Sequence, residues 1–286
     1  MEVDTESSQP LWSRIPVEGC AHRELRYSIV DGLDLMARVY RPVLRGSDRQ
    51  VQLPVVVHAV GGGWSEGDRT LAADLHRRLA RAGIVSVVPE LRSGSAHHHP
   101  RAAVDFERAL RRVHGEAKTL GIDPAVMIVA GSLSGAHAAL TAVVTSQAVR
   151  RLRIPRGVVL RWPSVDPTTV RDAMLSSGPD DGTASAVDDY FAGSVRMRRA
   201  VLPEMIFDGA AVQLPSLWLT RSRGEIAAPC VVSDELAFAW SHAGGAVTVF
   251  DAEPEYEEQV NQEMVRVIQE LAALVGSKRQ TIGQVR

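Results

Sequence analysis

The sequence predicts an α/β fold, a mostly parallel sheet covered by helices on both faces, with one insertion. Three observations carry that expectation. The runs at 53–60, 84–88, 126–130 and 157–162 are almost continuously apolar and β-branched, the pattern of strands buried on both faces. Segments with apolar residues at helical spacing, 71–82 and 102–120, separate them, so the order reads strand, helix, strand, helix. A chain of 286 residues, 45% hydrophobic and 23% charged, has the size and composition to bury one large core.

Taken in order, residues 1–20 read as a flexible acidic tail and 21–286 as a single domain. Residues 23–29 and 35–40 alternate like two strands joined through Asp31-Gly32, an antiparallel edge hairpin. The buried strand 53–60 runs into Gly61-Gly62-Gly63-Trp64, where three glycines leave backbone N–H groups able to face a ligand. The helix 71–82 ends at Gly83, a C-cap, and 102–120 ends at Gly121. After the strand 157–162, the Pro, Gly, Asp and Ser clusters of 163–214 break the rhythm, with short helical patches near Tyr190 and Met197. That stretch is expected to be a lid or pocket wall. Strands at 216–220 and 246–250 and helices at 234–243 and 257–275 complete the chain.

Composition narrows the functional classes. A net charge of −2 without a basic run argues against nucleic acid. No stretch reaches the roughly 18 apolar residues of a membrane span, and the N-terminus has no apolar leader core, so a cytoplasmic protein with a small-molecule ligand is expected, compatible with a homodimer. Cys20 and Cys230 match no metal or redox spacing and read as two reduced thiols. His97-His98-His99 resembles a metal motif, but neighbouring histidines in an extended loop alternate in direction. No metal and no cofactor is therefore expected, and His97 is assigned to a pocket rim. His137 reads as a packed helix residue and His58 as a satisfied core or supporting group.

The chemistry is concentrated in 126–140, VMIVAGSLSGAHAAL. An apolar strand stops at Gly131, turns within small residues and becomes an Ala-rich helix, the context of a nucleophile elbow in which the central side chain stands exposed above the sheet. That central residue is Leu133, which can neither attack a carbonyl nor be activated by a base. Ser132 and Ser134 flank it. Each can be read as satisfying backbone groups in a tight turn or as a displaced nucleophile, and a serine nucleophile needs a base oriented by a third group.

With these landmarks, residues 25–275 resemble the α/β-hydrolase superfamily, and within it the bacterial esterases of hormone-sensitive-lipase and acetyl-esterase type. The family's His-Gly-Gly-Gly-Trp corresponds to Val60-Gly61-Gly62-Gly63-Trp64, and its Gly-x-Ser-x-Gly-Gly-His to Gly131-Ser132-Leu133-Ser134-Gly135-Ala136-His137. The resemblance implies a backbone oxyanion hole at Gly61, Gly62, Gly63 and Ser134. It places Glu225 in the acid loop 223–229. Glu255 takes the position of the base histidine, in a segment that also reads as a solvated acidic stretch. His97 falls on a histidine common in the family's Glu-His-Pro-Phe-Pro loop.

Nucleophile, base and acid are thus all altered, so the leading expectation is a non-hydrolytic enzyme. It would be an isomerase, lyase or cyclase acting on a largely apolar carbonyl compound, with natural-product biosynthesis as an analogy. In that reading the oxyanion hole stabilises an enolate, and Glu255 and Glu225 are acid–base carboxylates. Leu133, Ser132, Trp64, Trp162, Tyr190 and His97 would line its pocket. A binding-only pseudoenzyme and an atypical esterase are the alternatives.

Overall fold

The computed structural model describes residues 17–44, 51–64, 72–152, 155–178, 182–209, 214–222, 224–226, 228–252 and 257–283. Eight strands form one sheet in the order β1-β2-β4-β3-β5-β6-β7-β8. The hairpin β1 (Val17–Val30) and β2 (Leu33–Leu44) is antiparallel and joins β4 antiparallel. The strands β3 (Leu53–Val60), β4 (Val85–Pro89), β5 (Ile122–Ser132), β6 (Gly157–Arg161), β7 (Ser216–Arg221) and β8 (Val247–Asp251) run parallel to one another. Their burial explains the sequence pattern. Every residue of β3, β4 and β6 is buried because helices cover both faces, so no alternation is needed.

On one face α1 (Ala73–Arg81) packs on β2 and β4, and α11 (Glu257–Gly283) packs on β5 and β6. On the other, α2 (Arg101–Gly115), α4 (Ser134–Thr145) and α10 (Cys230–His242) cover the sheet. Buried small residues dominate α4 for a steric reason. A Cβ on Gly135 would lie 2.1 Å from the Ala59 carbonyl oxygen, and one on Gly131 would lie 2.5 Å from Ala136 Cα. The helix can lie this close to β3 and β5 only with glycines at the contact.

Three boundaries differ from the sequence reading. The edge strand begins at Val17, so the last four residues assigned to the tail, 17–20, are paired with β2, while 1–16 lie outside the described residues. The helix expected over 102–120 is two, α2 and the short α3 (Ala117–Leu120), which meet at Glu116 just after Gly115. Among the described residues between β6 and β7 the chain forms four helices, α6 (Pro167–Ser176), α7 (Thr183–Phe191), α8 (Ser194–Arg198) and α9 (Leu202–Phe207). α5 (Gln147–Arg151) closes the connection before β6. No helix among the described residues is long and apolar enough to cross a membrane.

Candidate active site

The strand β5 and helix α4 meet at Leu133, whose backbone adopts φ 48° and ψ −128°. Positive φ in a branched apolar residue is strained by about 1–3 kcal/mol, and here it is held by neighbours. The Leu133 N–H donates to Arg161 O at 3.1 Å, and its carbonyl accepts from Ala136 N at 3.0 Å and Ser164 N at 3.2 Å. The elbow geometry is therefore intact with leucine at its tip, and the half-buried side chain packs on the core.

The glycine loop is docked against this elbow. Gly61 N–H donates to Ser132 O at 3.1 Å, and a Cβ on Gly61 would lie 2.1 Å from Gly135 N. Trp64 N–H donates to Ser134 Oγ at 3.2 Å, so Ser134 ties the far end of the loop to the start of α4. One assignment changes as a result. The Gly61 N–H points at a main-chain carbonyl and holds the loop, so it does not face a ligand as the sequence reading expects.

A small void lies between loop and helix, with about 20 Å³ open to a water molecule, lined among others by Gly61, Gly62, Trp64, Ser134, His137 and Tyr190. Its outer wall comes from α7. Tyr190 and Phe191 are buried there, and Phe191 packs edge-on to Trp64 at 5.9 Å and to His137 at 5.4 Å. Burial pushes the Tyr190 phenol up and holds His137 neutral, with its pKa lowered to about 3. The His137 Nε2–H donates to Ala200 O at 2.8 Å, as suits a packed helix residue.

The histidine loop meets this cluster through a residue the sequence did not single out. His97 is half-buried beside a surface cleft of about 330 Å³ formed with His98, His99, Pro100, Arg101 and Val104, and does not line the void. His99 instead turns inward against Phe191 at 5.2 Å and His137 at 5.4 Å, and its pKa falls to about 4 through burial. Main-chain bonds pin the loop to α7, with His99 N–H donating to Tyr190 O at 2.8 Å. No three His, Cys, Asp or Glu side chains among the described residues form a metal-holding group.

Trp162 closes β6 with φ 47°, its N–H donating to Thr220 Oγ1 at 2.9 Å and its ring lying 5.0 Å from the Arg161 guanidinium carbon. It is buried and stands apart from the void, so the pocket role assigned to it is not one the geometry gives. Arg161 Nη1 bonds Glu257 Oε1 at 2.8 Å. Glu225 is half-buried in the loop between β7 and α10, with its carbonyl accepting from Ala228 N at 3.3 Å, and Glu255 lies outside the described residues.

Beneath the elbow is a constellation that sequence reasoning missed. Ser132 Oγ lies 2.8 Å from His58 Nε2, His58 Nδ1 lies 3.3 Å from His76 Nε2, and His76 Nδ1 lies 3.0 Å from Ser86 Oγ. All four residues are fully buried or nearly so. Burial first, then the charge of Arg161 among the lesser causes, lowers His58 well below its ordinary value and His76 to about 3, so both rings are neutral near pH 7. The register of β3 on β5 creates the pairing: Val60 lies opposite Ser132, which sets His58 two residues back on the same face.

The BD-FAE family matches residues 42–171. Over 166 residues the chain is 36% identical to Carboxylesterase NlhH of Mycobacterium tuberculosis, a match that covers 55% of this chain and 47% of that protein. The chain thus spans about half the length of the curated relatives it matches. A hyperthermophilic esterase from Pyrobaculum calidifontis superposes with a TM-score of 0.72 at 21% identity, covering 92% of this chain and 88% of the other. Esterase B from Lactobacillus rhamnosis does so with 0.73 at 20%, covering 94% and 90%. The expectation of an isomerase, lyase or cyclase is overturned by these findings, since the curated relatives are carboxylesterases and the structural neighbours esterases. With its eight-stranded sheet, its elbow and its docked glycine loop, the chain has the α/β-hydrolase fold, and over part of its length it is similar to the BD-FAE family and to carboxylesterases.

Proposed function

We propose that this protein is an ester hydrolase of unusual active-site composition, acting without a serine at the elbow tip. The observation that supports the reading is the close docking of the glycine loop on the elbow, which is intact although Leu133 occupies the tip. Donors fixed before reaction stabilise a tetrahedral oxyanion without reorganisation, and one such donor contributes about 3 kcal/mol. The carboxylesterase relatives support hydrolysis as the chemistry this scaffold serves. Trp64, Tyr190 and His137 wall the void beside the loop, and bulky walls of this kind favour short acyl groups over long ones.

The test is turnover of p-nitrophenyl acetate, butyrate and hexanoate by the purified chain. The expected result is hydrolysis above the buffer rate, falling from butyrate to hexanoate. Rates equal to buffer for all three esters would remove the reading.

A further inference from the structure

We propose that the groove between α9 and α10 binds a small organic cation, an ammonium group carried on an aromatic body. The groove has a volume of about 640 Å³, within the range of small-molecule sites. It shares no lining residue with the void beside the glycine loop, so the proposal stands independently of the hydrolase reading. Val201, Pro203 and Ala239 give it a buried apolar lining. Phe207 and Phe238 line it as well, yet they are 52% and 65% exposed.

These aromatic walls are ordered against one another. The Phe207 and Phe238 rings lie 6.4 Å apart with their planes 18° from parallel, and Phe207 also stacks on His242 at 4.7 Å. Large apolar side chains left this exposed beside a cavity mark a surface that a ligand can cover. Their π faces attract a cation as well as an apolar body, since the ring quadrupole is negative above the plane.

Charge complementarity selects the occupant. Five carboxylates line the groove, and among the described residues no Lys, Arg or His side chain does. Two of the five are engaged: Asp166 accepts from the Thr168 and Thr169 N–H groups and caps α6, and Asp234 Oδ1 lies 2.5 Å from Arg221 Nη1. Glu204, Asp208 and Glu235 form no ion pair among the described residues. Partial burial first, and then the charges of Asp166 and Glu204, raise the Glu235 carboxyl above its ordinary value, so these groups repel one another across the groove. An ammonium relieves that repulsion while its apolar body covers the two Phe rings. An anion would add to the repulsion, and a neutral molecule would leave it unchanged.

The experiment titrates the wild-type full chain with benzyltrimethylammonium, benzyl alcohol and benzoate by calorimetry, and repeats the cation titration on Glu204→Gln/Glu235→Gln and on Phe238→Ala. All three positions are exposed, so the variants should keep the fold, which circular dichroism checks. The expected result is a Kd of about 1 mM or tighter for the cation and binding at least about 10-fold weaker for the alcohol and the benzoate. Each variant should weaken the cation about 5-fold or more, and about 0.5 M NaCl should weaken it in the wild type. No binding of the cation to the wild type overturns the site. Equal binding of benzyl alcohol or benzoate overturns its selectivity for cations, and an unchanged affinity in either folded variant places the cation elsewhere and overturns the assignment. The comparison of the three probes needs no variant, and none of these outcomes depends on ester turnover.

Discussion

At Gly135 a single methyl group decides whether glycine loop and elbow can stay together. Its added carbon would lie 2.1 Å from Ala59 O and 2.8 Å from Gly61 N, both backbone atoms that cannot swing aside, whereas a Cβ on Gly62 meets nothing within 4 Å. Gly135→Ala should therefore destabilise the fold by about 1–3 kcal/mol and spread the loop, while Gly62→Ala should change stability by less than about 0.5 kcal/mol. Urea midpoints of the two variants check this, and equal midpoints would show that the close approach is not a constraint. The same scale shows what the sequence could reveal. That Leu133 sits at a strand-to-helix turn was legible from the spacing of Gly131 and Gly135, because only close packing demands glycines there. That Ser132 meets His58 was not, since it depends on which residue of β3 lies opposite which residue of β5.

The loop after β4 is held to α2 by a buried ion pair. Arg92 Nε and Nη2 bond the two oxygens of Asp105 at 2.8 and 2.7 Å, Arg108 Nη1 adds a bond at 2.8 Å, and the Asp105 side chain is fully buried. Nearby, Tyr27 O–H donates to Glu90 O, so β1, β4 and α2 are joined at one corner. Asp105→Ala strands the Arg92 guanidinium, and the expected loss is about 3–5 kcal/mol, more than the pair contributes relative to an apolar replacement. Chemical denaturation of Asp105→Ala beside an Arg92→Met/Asp105→Leu double variant checks this, the double variant being the more stable of the two. Elements differed in how openly the sequence declared them. The strand over 53–60 was legible to the residue because eight successive positions are buried. The break between α2 and α3 carried a weaker mark, Gly115, that apolar spacing alone overrides.

Across the whole molecule, buried histidines set the acid stability. His76 and His137 have pKa values near 3, His99 near 4, and His58 is lowered well below its ordinary value, chiefly by burial. Their neutral forms are favoured in the fold, so their contribution is complete above about pH 6.5 and is lost as the pH falls toward 3, while the unfolded chain takes up protons. Each such group contributes a slope of about 1.4 kcal/mol per pH unit in that window. Stability should fall steeply between pH 6.5 and 5, before carboxylates protonate, and His137→Gln, which keeps a donor for Ala200 O, should flatten the curve by about one proton. Identical slopes for the two proteins in urea titrations at pH 7 and 5 would contradict this. The architecture itself was legible because alternating strands and helices leave few ways to cover a parallel sheet. The reaction class was misread because missing side chains at known positions say nothing of groups that folding brings in from elsewhere.

The bent backbone at Leu133 also has a meaning for descent. A leucine at φ 48° carries a standing stability penalty that glycine would remove, and one substitution suffices to remove it. In a library randomised at position 133, selection for folding alone should enrich glycine, while selection for function should keep leucine if its apolar bulk serves the site. The ratio of the two enrichments measures how far present-day selection, as opposed to inheritance, maintains that residue.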